Sequence, residues 1–253
     1  MSLQKLKTDW EHLAATDPLW AILTDHQRAG RQWNIDDFMA TGTREIDRVL
    51  AHLASRNLLP DPSSSALDFG CGVGRLTQPL ARRFRSAVGI DISSPMVAKA
   101  QALNPPANCT FQLNNSSTLP FADASFGFIY SSITLQHIPP RFALQYLREF
   151  VRVLAPSGIL VFQVPERYAG TFTERLRNTL RLRTRLREAL HLAPPFMKMH
   201  TVSRQRITRA LAPAQLLDTQ YTNSALPDFN GDLRYLDNPP ASGFVSIQYA
   251  ARK

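Results

Sequence analysis

The chain has 253 residues, 44% of them apolar and 19% charged, with 14 Phe, a formal net charge of +9 and two cysteines. That length suits one large α/β core with an inserted cap and falls short of two full-sized domains with linkers, while the composition excludes disordered and fibrous chains. Cys71 and Cys109 exclude a disulfide framework, and with no CxxC or Cys/His cluster the sequence offers no metal ligand set.

No run approaches the roughly 18 to 20 apolar residues of a membrane span, and the first residues lack a signal-peptide apolar stretch, so a cytoplasmic location is expected. Residues 1 to about 57 read as helical. Ile35, Phe38, Met39, Ile46, Val49, Leu50 and Leu53 recur at helical spacing, and Asn34 stands where a cap is needed. Trp10 and Trp20 read as core or surface anchors.

After a Pro60–Ser65 break the pattern changes to short apolar runs alternating with helical stretches. Strands are expected at 66–69, 87–90, 110–113, 126–130 and 159–164, and helices at 75–84, 95–103 and 141–154. This rhythm predicts a parallel sheet covered on both faces. A further helix is expected over 174–192, then two closing strands at 216–222 and 244–250. Between Glu166 and Arg209 stand eleven basic residues against three acidic ones, so nearly all the excess charge sits in one segment.

The most informative stretch is Leu67-Asp68-Phe69-Gly70-Cys71-Gly72-Val73-Gly74-Arg75, a strand running through three alternating glycines into a helix. Glycine there permits positive φ and close approach of a ligand to the backbone. A dinucleotide fingerprint needs its third glycine at Arg75, one position later than Gly74. Asp68 suits a ligand carrying an ammonium group better than a pyrophosphate.

This stretch resembles motif I of the class I S-adenosylmethionine-dependent methyltransferases, and the resemblance continues over roughly residues 65 to 164. It implies a Rossmann-like, mostly parallel seven-stranded sheet with helices on both faces. A helical lid over 1–57 and a domain over 58–253 are expected, with a helical cap of about 166–212 inserted between strands 5 and 6. It implies S-adenosylmethionine as cofactor, S-adenosylhomocysteine as product, and transfer to a small-molecule or lipid-like acceptor.

Residue by residue, Asp91 at the end of the second strand matches the family's carboxylate for the ribose hydroxyls. Ile92 and Met96 fall beside the adenine, with Ser94 as N-cap and Pro95 at the first helical position. Asn115, with Ser116, stands where the family commonly has Asp; its amide oxygen would take the adenine amino group. Asp68, Gly70, Cys71, Gly72 and Arg75 belong to the loop around the cofactor, and Ser132, Ile133 and Leu135 to the segment around its methionine end.

His137 is the candidate general base. Trp33, Phe38, Met39, Thr41 and Arg44 form either a lid, with Arg44 on the methionine carboxylate, or a helix packed on the sheet. Phe172, Phe196, Met197, Met199 and His200 are candidate acceptor-lining residues. The arginine stretch from Arg175 to Arg187 reads as a solvated face, an anionic-acceptor site or a contact with anionic membrane lipid; nucleic acid ranks below these because no stacking aromatics are interleaved. The rival functions are methylation of RNA or protein, a non-enzymatic cofactor-binding module, and a nicotinamide-dependent reductase.

Overall fold

A computed structural model describes residues 2–171 and 197–253. Eight strands form one sheet: β1 (Ser65–Phe69), β2 (Ser86–Asp91), β3 (Cys109–Leu113), β4 (Phe126–Ser131), β5 (Leu154–Ala169), β6 (Gln215–Thr222), β7 (Tyr235–Leu236) and β8 (Gly243–Arg252). Their order is β3-β2-β1-β4-β5-β8-β6-β7. The first five run parallel, whereas β8 lies antiparallel between β5 and β6, and β7 is antiparallel to β6.

Among the described residues the sheet thus has eight strands where seven are expected. The addition is the two-residue β7, whose Tyr235 and Leu236 pair with Thr222 and Tyr221 at the sheet edge. Two residues carry no readable period, so the sequence shows no strand there. β5 also continues past the expected end at Val164 to Ala169, held by β8 through a register shift between Pro165 and Arg167. The inserted segment thus begins later than expected. The arginine stretch from Arg175 to Arg187 and the helix expected over 174–192 lie outside the described residues.

The helices are α1 (Leu3–Thr16), α2 (Pro18–Ile22), α3 (Ile35–Ser55), α4 (Thr77–Arg83), α5 (Ser94–Ala102), α6 (Pro140–Val153) and α7 (Arg204–Leu211). Asn34 caps α3 as expected, its side-chain oxygen accepting from the Asp36 and Asp37 amides. At α5 the N-cap is Ser93 rather than Ser94, and Ser94 instead donates to Glu11 of α1. No described helix is long and apolar enough to cross a membrane.

Alternation along the strands assigns the two faces. Leu67, Phe69, Leu160, Phe162 and Val164 point to the layer with α6 and α7, joined by Leu147, Phe150, Ile207 and Tyr249. Ala66, Ala87, Phe128, Tyr130, Ile159 and Val161 point to the opposite layer with α3 and α4, joined by Ile46, Val49, Leu53 and Leu80. Side chains of successive strand residues leave opposite faces, so one buried sheet supplies both cores. A third cluster joins Ala14, Ala21, Leu23 and Phe38 to Val73 of the glycine loop and Met96 of α5. It ties the N-terminal helices to the carboxyl ends of the parallel strands.

Candidate active site

At those strand ends the glycine loop leaves β1 and is pulled against β2. The Gly70 and Cys71 amides both donate to the Ile90 carbonyl, at 2.8 and 3.0 Å. Gly70 has φ +78°, and a Cβ there would stand 2.2 Å from the Thr134 side chain; Gly72 has φ +52°, and a Cβ there would stand 2.5 Å from Ile22. Both positions favour glycine on conformation, and Gly70 on space as well.

Asp91, at the end of β2, closes the loop from the other side. Its Oδ2 accepts from the Gly72 amide at 2.9 Å and its Oδ1 from the Ser93 amide at 2.8 Å. Burial raises its pKa, opposed by the Ser93, Gly72 and Ile92 amides. Each oxygen keeps a lone pair for a further donor, so the carboxylate can grip a diol.

The loop, Asp91 and the N-terminal helices line a cavity across the strand ends. Its walls include Gly70, Gly72, Asp91, Ile92, Met96 and Ile133, together with His137, all singled out from the sequence. Leu6 and Trp10 of α1, Ile22 of α2, Asn114, Ile138 and Tyr146 complete it. The lining, a mostly apolar wall with few polar groups, suits a nucleoside-like ligand.

Six expected cofactor residues, Arg44, Asp68, Cys71, Arg75, Asn115 and Ser116, do not line this cavity. Asn115 and Ser116 are exposed, and Asn114 occupies the cavity wall. The Asn114 amide donates to the Asp91 carbonyl at 2.8 Å, extending the parallel ladder by one residue, so its side chain and not the next one turns inward. Its Oδ1 accepts from the Ser116 amide, which leaves Nδ2 buried without a protein partner. That atom is a donor suited to a ring nitrogen, in place of the expected acceptor for an amino group. Asn114→Ala is expected to weaken S-adenosylhomocysteine binding about tenfold, the value of one lost hydrogen bond. Asn115→Ala should leave it unchanged, and calorimetric titration of both variants checks the assignment.

Arg75 turns away from the cavity into the core, where its Nη2 pairs with Glu45 of α3 at 2.8 Å and its Nη1 donates to Thr41. Arg44 is exposed and lines a separate recess with Asp25, Arg28, Asp37 and Asp232. In α3, Ile46, Val49 and Leu53 pack on the sheet, whereas Phe38 is fully buried among the N-terminal helices and the glycine loop, with Trp33 edge-on to it at 5.5 Å. The residues over the cavity are instead Leu6, Trp10 and Ile22. No sequence signal links them to the glycine loop, because the contact is long-range.

Cys71 is buried and does not line the cavity; its Sγ donates to the Gly72 carbonyl, and burial pushes the thiol pKa well up. Ser132 and Leu135 are likewise buried behind the wall. Phe172 and Phe196 lie outside the described residues. Met197, Met199 and His200 are half-buried, and the His200 amide donates to the Gln136 carbonyl at 2.6 Å, which brings this segment alongside the cavity.

Asp68 is 1% exposed; its Oδ2 accepts from Thr77, and its Oδ1 has no protein partner. Burial raises its pKa to about 7, against lowering by the Thr77 hydroxyl and the Arg75 charge. A folded-state pKa above the ordinary 3.8 favours the protonated native form, so this contribution to stability is full below about pH 4 and is lost as pH rises through 7. Urea unfolding at pH 5 and pH 8 should therefore show a smaller loss across that interval for Asp68→Asn than for the parent. Equal losses would contradict the assignment.

His137 sits in a short 3₁₀ turn, Leu135–His137, with Trp10 edge-on to its ring at 5.4 Å. Burial pushes its pKa down to about 4, opposed by the Lys198 carbonyl. Its Nδ1 lies 3.0 Å from that carbonyl and its Nε2 lies 3.1 Å from the Gln136 side-chain amide. Both nitrogens are engaged by protein groups.

Parallel strands with a glycine loop after β1, a buried carboxylate at the end of β2 and a cavity across the strand ends define a Rossmann-like α/β fold. Residues 67–162 match the family model for a methyltransferase domain. Over that segment the chain is similar to class I S-adenosylmethionine-dependent methyltransferases.

Among curated relatives, 2-methyl-6-phytyl-1,4-hydroquinone methyltransferase of Synechocystis is 34% identical over 46% of this chain and 37% of its own length. Trans-aconitate 2-methyltransferase of Deinococcus radiodurans is 40% identical over 43% of this chain and 41% of its own. The alignments thus span less than half of those relatives. Malonyl-[acyl-carrier protein] O-methyltransferase of Methylovorus is 27% identical over 85% of this chain and 73% of its own length. Magnesium protoporphyrin IX methyltransferase from Synechocystis, solved with bound S-adenosylhomocysteine, superposes with a TM-score of 0.61 at 19% identity, covering 99% of both chains. That likeness is one of fold.

Proposed function

We propose that this protein transfers the methyl group of S-adenosylmethionine to a small-molecule or lipid-like acceptor. The observation that carries the reading is Asp91, a buried carboxylate that ties the glycine loop to β2 and faces the cavity with spare lone pairs. Asn114 adds an unpaired donor in the cavity wall, a polar complement for the nucleoside ring.

S-adenosylmethionine, when bound, supplies an electrophilic methyl on a sulfonium whose charge is lost as the methyl leaves. The chain's own contribution is alignment and exclusion of water. Asp91 and Asn114 would hold the nucleoside, while Ile92 and Met96 flank it. Leu6, Trp10, Ile22 and Ile138 give the cavity apolar walls, in which loss of charge at the reacting centre is favoured. A mostly apolar enclosure also favours an acceptor with an apolar body, as does the likeness to relatives named for a phytyl hydroquinone and an acyl carrier.

The test is incubation of the protein with methyl-labelled cofactor and a panel of carboxylic acids, hydroquinones and a cell metabolite extract. Label is expected in a small organic product with the parent chain and not with Asp91→Ala. Tight cofactor binding without label in any fraction would favour a binding module instead. Trp10 gives an optical readout of the same site: S-adenosylhomocysteine should change the tryptophan fluorescence of the parent and leave that of Trp10→Phe nearly constant.

A further inference from the structure

Gln163, on β5, is 1% exposed and belongs to none of the sequence motifs. Its Oε1 accepts from the Ile133 amide at 2.9 Å, and its Nε2 donates to Gln136 Oε1 at 3.1 Å and to Ser246 Oγ at 2.6 Å. Ile133 lines the cavity with φ +48°, a left-handed conformation that a β-branched residue adopts only under constraint.

The direction of every hydrogen bond in this chain is fixed from its ends. The Ile133 amide can only donate, so Gln163 must turn its oxygen to Ile133 and its NH₂ to Gln136. Gln136 then receives through Oε1 and turns its own NH₂ toward His137 Nε2, which must be an acceptor. At the other end the Lys198 carbonyl can only accept, so His137 carries its proton on Nδ1. An imidazolium would set an Nε2–H against the Gln136 NH₂.

We propose that Gln163 is a positioning residue whose one side-chain amide fixes both the left-handed Ile133 peptide in the cavity wall and, through Gln136, the neutral Nδ1-protonated form of His137. The cofactor half of this statement rests on the cavity being the S-adenosylmethionine site; the His137 half does not. With Nε2 committed to Gln136, the ring acts as a neutral wall beside Trp10 and takes no proton from the acceptor. Around the ring stand Trp10 of α1, the Lys198 main chain, Gln136 and His200. Among the described residues His200 is the titratable group whose charge acts on it, and that charge also opposes an imidazolium. The depressed His137 pKa agrees with a locked neutral ring.

Two near-isosteric variants separate the functions. Gln163→Met removes the anchor of both, leaving Gln136 free to rotate and offer its oxygen to a protonated ring. Gln136→Met removes the donor at Nε2 and leaves the Ile133 bond intact, and it keeps the test decisive should the first variant unfold. His137 is followed by NMR of its imidazole nitrogens across pH, assigned by the signal missing from His137→Gln.

In the parent the ring is expected to be the Nδ1–H tautomer with a pKa of about 4. Both variants should raise that value, while the burial that lowers it most keeps it below the ordinary 6.5. S-adenosylhomocysteine affinity should fall about tenfold in Gln163→Met alone, the value of one hydrogen bond. A parent His137 that titrates near its ordinary value, a titration unchanged in both variants, or equal affinity losses in the two would each overturn the proposal. No S-adenosylhomocysteine binding by the parent would count against the cofactor reading, with the relay then decided by the His137 titration.

Discussion

Arg75→Met is expected to lower the unfolding free energy by about 3 to 5 kcal/mol, the cost of leaving one partner of a buried ion pair behind. The Arg75 and Glu45 side chains are 2% and 0% exposed, and the pair closes at 2.8 Å. Glu45 is further held by the Tyr130 hydroxyl at 2.8 Å, whose proton burial and the Glu45 charge together keep bound. Next to the pair, a Cβ on Gly42 would stand 1.9 Å from the Arg75 carbonyl, so α3 lies directly on the end of the glycine loop. Removing the guanidinium leaves the Glu45 carboxylate without its counterion in a dry layer.

The double variant Glu45→Gln/Arg75→Met should regain most of that loss, because no charge then remains to be compensated. Urea unfolding of the two single variants and the double gives the comparison. A loss below about 1 kcal/mol for Arg75→Met would be that of an exposed pair and would contradict the buried clamp.

Asp91→Ala is expected to reduce S-adenosylhomocysteine affinity at least about 100-fold. Two hydrogen bonds to a charged acceptor contribute about 1.5 to 3 kcal/mol each, and about 1.4 kcal/mol is tenfold in affinity. The same substitution frees the Gly72 and Ser93 amides, so the loop loses its tie to β2 along with the ligand's anchor. Titration together with urea unfolding separates the two effects. An affinity loss with little change in stability is the expected pattern, because the Gly70 and Cys71 amides still hold the Ile90 carbonyl.

The parts of the site legible in the sequence are those encoded locally. Gly70, Gly72 and Asp91 follow from strand ends, turn chemistry and one carboxylate at a fixed distance from them, and all three line the cavity. The same local reading slips by one at Asn114 and Asn115. Two adjacent asparagines after β3 are chemically equivalent on paper, and only the ladder bond from the Asn114 amide to Asp91 decides which one turns inward.

What the sequence hides are contacts made across long separations. Arg75 reads as part of the loop around the ligand until Glu45, thirty residues earlier, is found beside it. Leu6, Trp10 and Ile22 reach the cavity because α1 and α2 fold onto the glycine loop and α5, a packing no periodicity announces. Gln136 and Gln163 are polar residues in apolar surroundings, and neither carries a sequence signal for its partners. Their partners appear only when β4, β5 and β8 lie side by side. The fold itself is more legible, since every parallel strand has its core at the expected place, and the differences fall at the ends and on the short edge strand β7.

The most direct test of the central claim is calorimetric titration of the purified full chain with S-adenosylhomocysteine and, in parallel, with NADH. Micromolar binding of S-adenosylhomocysteine and none of NADH is the expected result for a cavity built around Asp91 and the glycine loop. Binding of NADH, or of neither ligand, would contradict the assignment of this cavity to S-adenosylmethionine.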